Sequence, residues 1–167
     1  MLKLTKKADY GLIALRHLAT QPYRNQLKTA SAKEIAEIYR IPLPLLSKVL
    51  QALVRNGILL SEQGAAGGYR LAREAREITA LEVIRCIDGP IILTHCFTEH
   101  DEHIQCDQAE QCPVREPLRK VHEGILRLLS SITIHDMSSD DMPIPSISSL
   151  VSSIQPSAIG PHTGQTR

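Results

Sequence analysis

Apolar and polar positions recur at helical spacing in the first part of the chain. The first such segment runs from about Thr5 to Thr20, and its apolar stripe consists of Ala8, Leu12, Leu15 and Leu18/Ala19. A stripe of this spacing is typical of a helix that packs on a core through one face. We therefore expect an amphipathic helix at the start of the chain.

Two further helical patterns follow, separated by a turn. Ser31 and Glu34 have the spacing of a capping box, which predicts the start of a short second helix. Its apolar positions are Ile35, Ala36 and Ile38. The segment Arg40–Pro44 forces a turn, because the residue before a proline avoids helical geometry, whereas proline suits the first turn of a new helix. A third helix is therefore expected from about Pro44 to Asn56-Gly57.

The third helix has an apolar face and a polar face. Its inward residues are Leu46, Val49, Leu50 and Leu53, and its outward residues include Ser47, Lys48, Gln51 and Arg55. Two helices joined by a tight turn form a helix-turn-helix, whose second helix enters the major groove of DNA with its N-terminal residues at the base edges. Pro44, Ser47, Lys48 and Gln51 would then lie at the bases. The alternative is a plain helical hairpin within a small domain.

A strand, a tight loop and a second strand are predicted directly after the third helix. The strands are Ile58–Glu62 and Tyr69–Ala72, and the loop is Gly64-Ala65-Ala66-Gly67-Gly68. A β-hairpin that follows a helix-turn-helix is a wing. The loop lacks the Gly-Lys-Ser/Thr of a nucleotide-binding loop and opens no helix, so we do not assign it to phosphate binding.

The second half of the chain begins with a short helix. A second capping box, Thr79 to Glu82, opens it, and Asp88-Gly89-Pro90 ends it. The segment from Ile91 to Cys112 shows no clean period and should be a loop. From Pro113 onward, apolar residues repeat at alternating spacings of four and three: Val114, Leu118, Val121, Ile125, Leu128 and Ile132. This is a heptad seam, along which two helices pack side by side.

These elements predict a mainly α fold with a small β-hairpin: a winged helix-turn-helix followed by a long C-terminal dimerisation helix. We expect a DNA-binding domain over residues 1–73, a linking helix and sensor loop over 74–112, and a dimerisation helix over 113–135. The last part, 136–167, is rich in Ser, Pro, Gly and Thr from about Ser138, so we expect a disordered tail.

The net charge of +1 conceals a strong asymmetry. Residues 1–73 carry 12 Lys and Arg against 4 Asp and Glu, whereas residues 74–167 carry 7 against 14. A basic half joined to an acidic half indicates a polyanion-binding module attached to something else, although ordinary surface charge segregation gives the same pattern. No apolar run is long enough to span a membrane, and the N-terminus lacks the apolar core of a signal peptide, so we expect a cytoplasmic protein.

All four cysteines lie in one stretch: Cys86, Cys96, Cys106 and Cys112. In a cytosolic protein such clustering indicates metal or redox chemistry rather than structural disulfides. Thiolates bind iron–sulfur clusters and zinc equally well, and the absence of closely spaced cysteine pairs favours iron–sulfur. Three unligated thiols are the remaining alternative. Cys86 lies among the apolar residues of the short helix, so we expect it in the core.

The seven histidines are mostly single polar residues. Three of them, His95, His100 and His103, lie near the cysteines, where an imidazole can supply a further ligand. We expect the remaining four on the solvated surface: His17, His122, His135 and His162.

Four ordered motifs resemble the Rrf-two family of winged-helix repressors, which includes regulators of iron–sulfur (Isc and Suf) assembly and a nitric-oxide-sensing repressor. They are Leu4-Thr5-Lys6-Lys7-Ala8-Asp9-Tyr10-Gly11-Leu12, Leu53-Val54-Arg55-Asn56-Gly57, Gly67-Gly68-Tyr69-Arg70-Leu71, and three cysteines before a long helix. The resemblance covers residues 1 to about 135. The N-terminal motif is most similar to the Suf-assembly regulators.

The resemblance implies a homodimer in which each subunit holds a cluster through Cys96, Cys106 and Cys112. A 2Fe-2S cluster is the first expectation and 4Fe-4S the second. In relatives the fourth ligand is either a histidine after the last cysteine or an aspartate from the first helix of the other subunit. No histidine closely follows Cys112, and Asp9 occupies the aspartate position. Asp9 is therefore the expected fourth ligand, although a carboxylate at a helix start is also favoured by the helix dipole alone.

The sequence departs from the family pattern at two places. The first cysteine gap, nine residues, is wider than in the best-known members, so His100 and His103 inside it are alternative ligands. Gln63 stands before the wing glycines, where Isc-type members place an arginine that reaches the minor groove. The expected DNA contacts in the wing are Gln63, Gly67 and Tyr69, and Arg55 at the end of the third helix is a further expected contact.

The sequence thus predicts a DNA-binding repressor that senses iron–sulfur or redox status and controls iron–sulfur assembly genes. The alternatives are a nitric-oxide-sensing repressor, and a zinc-bound or cluster-free regulator that responds to a metabolite or partner protein. No cysteine has a base and an orienting group at fixed spacing, so a cysteine-dependent enzyme is not expected.

Overall fold

A computed structural model describes residues 4–20, 29–64, 67–94 and 111–139 of the 167-residue chain. Its elements in chain order are α1 (Lys6–Thr20), α2 (Ala32–Tyr39), α3 (Leu43–Arg55), β1 (Leu59–Glu62), β2 (Gly68–Leu71), α4 (Ala80–Asp88), α5 (Arg115–Ser131) and α6 (Ile134–Ser138). The expected fold class, mainly α with one hairpin, is confirmed. None of these helices is both long enough and apolar enough to cross a membrane.

The core lies between α1 and the helices that pack on it, namely α3, α4 and α6. It is built from aliphatic side chains, and the large ones that are fully buried include Leu15, Ile35, Leu46, Leu50, Leu53, Ile58, Ile78 and Ile134. The buried face of α1 is rotated slightly from the predicted stripe, because Gly11 and Ala14 are buried whereas Leu12 and Ala19 are only half-buried. Small residues on this face let the neighbouring helices approach closely.

The helix-turn-helix forms as the local signals predict. Ser31 and Glu34 make both hydrogen bonds of the capping box at the start of α2. Arg40 ends α2 in the left-handed conformation, with φ of 54°. The third helix begins at Leu43, one residue before the expected start, with Pro44 in its first turn. All four predicted inward residues of this helix are buried.

The wing is a two-stranded antiparallel hairpin with Leu59 paired to Leu71 and Glu62 paired to Gly68. A third segment extends it, because Ala30 and Tyr69 exchange backbone hydrogen bonds of 3.1 and 2.9 Å. A Cβ on Gly68 would lie 2.7 Å from the Ala30 carbonyl oxygen. Glycine at this position therefore allows the close approach that fastens the wing to the chain before α2.

The helix that follows the wing forms only half of the predicted capping box. The Thr79 hydroxyl accepts a hydrogen bond of 3.2 Å from the Glu82 backbone N–H. The Glu82 carboxylate instead forms an ion pair with Arg73, so it does not return to the Thr79 backbone. The predicted end of the helix at Asp88 is confirmed, and Gly89 follows with φ of 83°.

The end of the described chain differs from the sequence expectation. The sequence places residues 134–135 in the long C-terminal helix and 136–138 in a tail, whereas both lie in α6, a separate short helix that packs on α1. Ile134 at its start is fully buried, and its backbone N–H donates to the Ile78 carbonyl. A bridge between Thr79 and Thr133 continues this pairing. The chain that leaves α5 is therefore fastened to the core; the rest of the predicted tail lies outside the described residues.

His17 is buried, whereas the sequence placed it on the solvated surface. Its side chain contacts Tyr39 edge to face, and its Nδ1 lies 3.3 Å from the Tyr39 hydroxyl. Burial lowers the pKa of His17, an effect that nearby Glu34 opposes. Of the other histidines assigned to the surface, His135 is exposed, His122 is half-buried and His162 lies outside the described residues.

Replacing Ile134 with alanine should destabilise the fold, because the change removes a fully buried side chain from between α1 and the segment before α4. Removal of a buried isoleucine costs about 2–5 kcal/mol of unfolding free energy. Denaturant unfolding at equal protein concentration measures this cost. The control is Ile92→Ala, since Ile92 is exposed. An unfolding free energy equal to that of the wild type would mean that α6 is not part of the core.

Candidate functional site

The outward face of α3 is polar, cationic and open to solvent. Pro44, Lys48, Gln51 and Arg55 are exposed and Ser47 is half-buried, and all five share the side of the helix opposite the core. No described ion pair involves Lys48 or Arg55, and the first turn of α3 contains no acidic residue. An exposed cationic helix face of this kind is suited to a polyanion.

The wing continues this surface. An open groove between α3 and the hairpin is lined by Gln51, Val54, Arg55, Ser61 and Tyr69. Within the hairpin, Arg70 and Glu62 pair at 2.5 Å, which keeps their charges on the wing itself. Predicted contacts Gln51, Arg55 and Tyr69 are thus brought together along one groove.

The tip of the wing is tight around Gly67. Its N–H donates to the Gly64 carbonyl at 2.9 Å, and a Cβ at this position would collide with the Glu62 carbonyl oxygen. Gln63 beside it is exposed. The role of both residues in DNA binding stays a prediction.

Sequence patterns missed two features of this surface. Arg40, an exposed cation in the left-handed turn between α2 and α3, lies just before the start of α3. Ala30 holds the wing against the chain before α2. The sequence gives no sign that Arg40 adopts the left-handed conformation, because glycine and asparagine are the usual residues at such a helix end. The Ala30 bridge joins distant parts of the chain and follows no local pattern.

The described residues include only part of the predicted cluster site. Cys112 is a half-buried free thiol just before α5. Asp9 is exposed in the first turn of α1, and its carboxylate makes no hydrogen bond or ion pair within the described residues. Cys96 and Cys106, together with His95, His100 and His103, lie outside the described residues. The structure therefore does not test the ligand set.

Cys86 lies apart from this site, as the sequence indicates. Its thiol packs partly buried between α4 and α3 and contacts the Ala52 carbonyl oxygen at 3.7 Å. Burial, with the charge of Glu82, raises the pKa of Cys86. A thiol held in its protonated form is a poor metal ligand and nucleophile, so we assign Cys86 to the core and not to the cluster site.

Residues 4–140 match the model of the Rrf2 family, described as an iron-dependent transcriptional regulator. One relative is the HTH-type transcriptional regulator NsrR of Shouchella clausii, which is 33% identical over 136 residues that cover 81% of this chain and 88% of the relative. This relative and the rrf2-like relative of Rhodobacter capsulatus, which is 31% identical over 136 residues, are both named as HTH-type transcriptional regulators rather than as enzymes.

Two solved structures are similar throughout the described fold. CymR, the global cysteine regulator of B. subtilis, is 30% identical with a TM-score of 0.66, over 83% of this chain and 97% of that one. IscR of T. potens is also 30% identical, with a TM-score of 0.60, over 81% of this chain and 85% of that one. Both are winged-helix regulators of the Rrf2 family.

Replacing Lys48 or Arg55 with alanine should weaken binding to duplex DNA and flatten its salt dependence. Each phosphate contact releases counterions and contributes about −0.9 to the slope of log affinity against log salt. Fluorescence anisotropy over a salt series measures both quantities. The control is Lys120→Ala, an exposed lysine on α5 that belongs to neither α3 nor the wing. Unchanged affinity and slope in both α3 variants would place the DNA interface elsewhere.

Proposed function

The chain belongs to the Rrf2 family of transcriptional regulators, and from that premise we propose that it is a dimeric repressor that senses iron–sulfur or redox status. Its proposed targets are iron–sulfur assembly genes of the Suf type. The observation that carries the proposal is the arrangement of one exposed cationic helix face, a wing and a cysteine segment in a single small chain. The site of action is double-stranded DNA.

DNA reading is assigned to α3 and the wing. A helix of this kind enters the major groove, where amide side chains recognise adenine and lysine recognises guanine by hydrogen bonds to the base edges. Gln51 and Lys48 are the matching side chains, with Ser47 and Pro44 beside them. Arg55, Gln63, Gly67 and Tyr69 are assigned to the backbone and the flanking groove. A dimer would place two such helices on adjacent half-sites.

The dimer is proposed from the two faces of α5. The heptad seam is only partly covered by the described residues: Val114 and Val121 are more than half exposed, and Leu118, Ile125 and Leu128 are half-buried. On the opposite side, Glu116, Arg119, Glu123 and Arg127 form ion pairs with one another. An apolar stripe left open on a long helix whose other face is satisfied favours a second copy of the same helix as its partner.

The sensing role is proposed for Cys96, Cys106 and Cys112 with Asp9 as the fourth ligand. The chemistry of the described donors fits, because Cys112 is a free thiol near solvent and Asp9 offers an exposed carboxylate without a partner in the described part of the chain. Bound at these donors, an iron–sulfur cluster of 2Fe-2S or 4Fe-4S type would supply a group that responds to iron and oxidants. Similarity to IscR supports this assignment.

A second candidate is a regulator without a cluster. Its support is the similarity to CymR, which is described as a global cysteine regulator and whose Staphylococcus aureus counterpart has been solved in an oxidised form. The same thiols would then respond to a metabolite, to zinc or to oxidation directly. If a cluster is bound, the signal could instead be nitric oxide, as in a nitric-oxide-sensing repressor. Iron and sulfide content distinguishes a regulator that binds a cluster from one that does not.

Light scattering at micromolar concentration should give about twice the 18.5 kDa mass of the chain. Val121→Glu should shift the protein towards the monomer, because it places a charge in the middle of the seam. Val121 is exposed within one chain, so this substitution leaves the fold of the subunit intact. Lys120→Glu, one residue away and off the seam, is the control. A wild-type protein of monomer mass would contradict the proposed dimer.

Protein purified without oxygen should be brown and contain iron and acid-labile sulfide, and Cys112→Ser should lose both. Asp9→Ala should alter the visible spectrum and shorten the lifetime of the chromophore in air, since an oxygen ligand would be lost. Because Asp9 is exposed, the fold should be retained. Glu37→Ala, another exposed carboxylate, is the control. A colourless protein without iron would favour the cluster-free candidate, and a wild-type spectrum and lifetime in Asp9→Ala would turn attention to His100 and His103.

A further inference from the structure

The last residue of α4 holds the first turn of α1, 83 positions earlier in the chain. The Thr5 backbone N–H donates to Asp88 Oδ2 at 3.1 Å, and the Thr5 hydroxyl donates to Asp88 Oδ1 at 2.5 Å. The same hydroxyl accepts from the Ala8 backbone N–H at 3.4 Å. Asp88 and Thr5 therefore form one connected set of hydrogen bonds at the start of α1, which we call the Thr5–Asp88 clasp.

The position of Asp88 is unfavourable for its own helix. A carboxylate at a helix C-terminus faces the negative end of the helix dipole, whereas a carboxylate at an N-terminus faces the positive end and free N–H groups. Asp88 ends α4 and lies against the N-terminus of α1. The negative charge of Asp88 therefore stabilises the N-terminus of α1 and not the C-terminus of α4. This indicates that the role of Asp88 is to hold the two helices together.

The clasp lies between the two functional parts of the chain. Asp88 is followed directly by Gly89 and the segment that leads to the cysteines, while Asp9 is one turn beyond Thr5. Behind the clasp, α1 and α4 cross closely at Gly11, where a Cβ would collide with Ile87. On its other side α1 packs against α3, the helix assigned to DNA reading.

We propose that Asp88 is a positioning residue that couples the cysteine segment to the DNA-binding helices through the Thr5–Asp88 clasp. The inference rests on the proposed sensing function. Its carboxylate fixes the first turn of α1, and with it Asp9, relative to the chain that enters the cysteine segment. A change in that segment displaces α4 at Asp88 or α1 at Asp9, and the clasp transmits the displacement to α1 and so to α3.

A second anchor on α1 explains why a small displacement would suffice. Arg16, in the C-terminal half of α1, donates to the Met137 carbonyl of α6 at 2.8 Å. Two points outside α1 therefore hold it: Asp88 at the end of α4 contacts its first turn, and Met137 in α6 contacts Arg16 in its C-terminal half. With α1 held at two points along its length, movement at one of them tilts the helix rather than sliding it along its axis.

The test compares DNA affinity with and without the cluster in wild type, Asp88→Ala and Thr5→Val, using a duplex that the wild type enriches from a random library. The ratio of the two affinities in wild type is the response. We expect it to fall about threefold or more in either variant, a loss in the range of one charged hydrogen bond weakened by solvent. The double variant should lose no more than the single variants. Thr5→Ser keeps the hydroxyl and should retain the wild-type response. Glu74→Ala, at an exposed carboxylate outside the clasp, should also leave the response unchanged.

Hydrogen exchange separates this role from a purely structural one. Faster exchange of the α1 first-turn amides in Asp88→Ala, together with the reduced response, supports the proposal. Faster exchange with a wild-type response overturns it, because the clasp would then only stabilise the helix end. Unchanged exchange and response also overturn it. A wild type that binds DNA equally with and without the cluster refutes the sensing function itself, and the coupling role with it; failure of the inference alone leaves that wild-type response intact.

Discussion

The structure depends on the packing of one helix, α1, against three others. Its buried face carries Gly11 and Ala14 between larger residues such as Leu15, and it contacts α3, α4 and α6 at once. Small residues permit this close packing, and the aliphatic side chains around them supply the core. Because α1 is shared in this way, a displacement of α1 affects α3, α4 and α6 together.

This shared core gives a physical basis for regulation in so short a chain. Leu46, Leu50 and Leu53 fix α3 on the core, and the bridge at Ala30 fixes the wing, so the surface assigned to DNA is held by the core on both sides. The long helix α5 contributes no fully buried residue, and Val114 and Val121 of its apolar seam are more than half exposed. If the proposed sensor and dimer are present, a signal near the cysteines would act on this unit of α3 and the wing through α1 and α4, and would change the spacing of the two subunits through α5.

Local sequence signals predicted most of the fold but only part of the site. The capping box at Ser31, the prolines before α3 and the glycines of the wing each act within a few residues, and each formed nearly as expected. The helix α6 was missed because its stability comes from Ile134, buried against a segment distant in sequence. His17 was misplaced for the same reason, since Tyr39 covers it. Tertiary contacts such as that of Thr5 with Asp88 leave no trace in periodicity.

In the proposed function, the state of the cysteine segment controls affinity for DNA. The most direct measurement is the dissociation constant of the wild-type protein for its selected duplex, taken without oxygen for the cluster-bearing form and again after the cluster has been removed. Coupling between two sites of a protein typically amounts to about 5–150-fold in affinity. We expect the two dissociation constants to differ by a factor in this range at constant salt. Equal dissociation constants for the two forms, with both still dimeric, would contradict it.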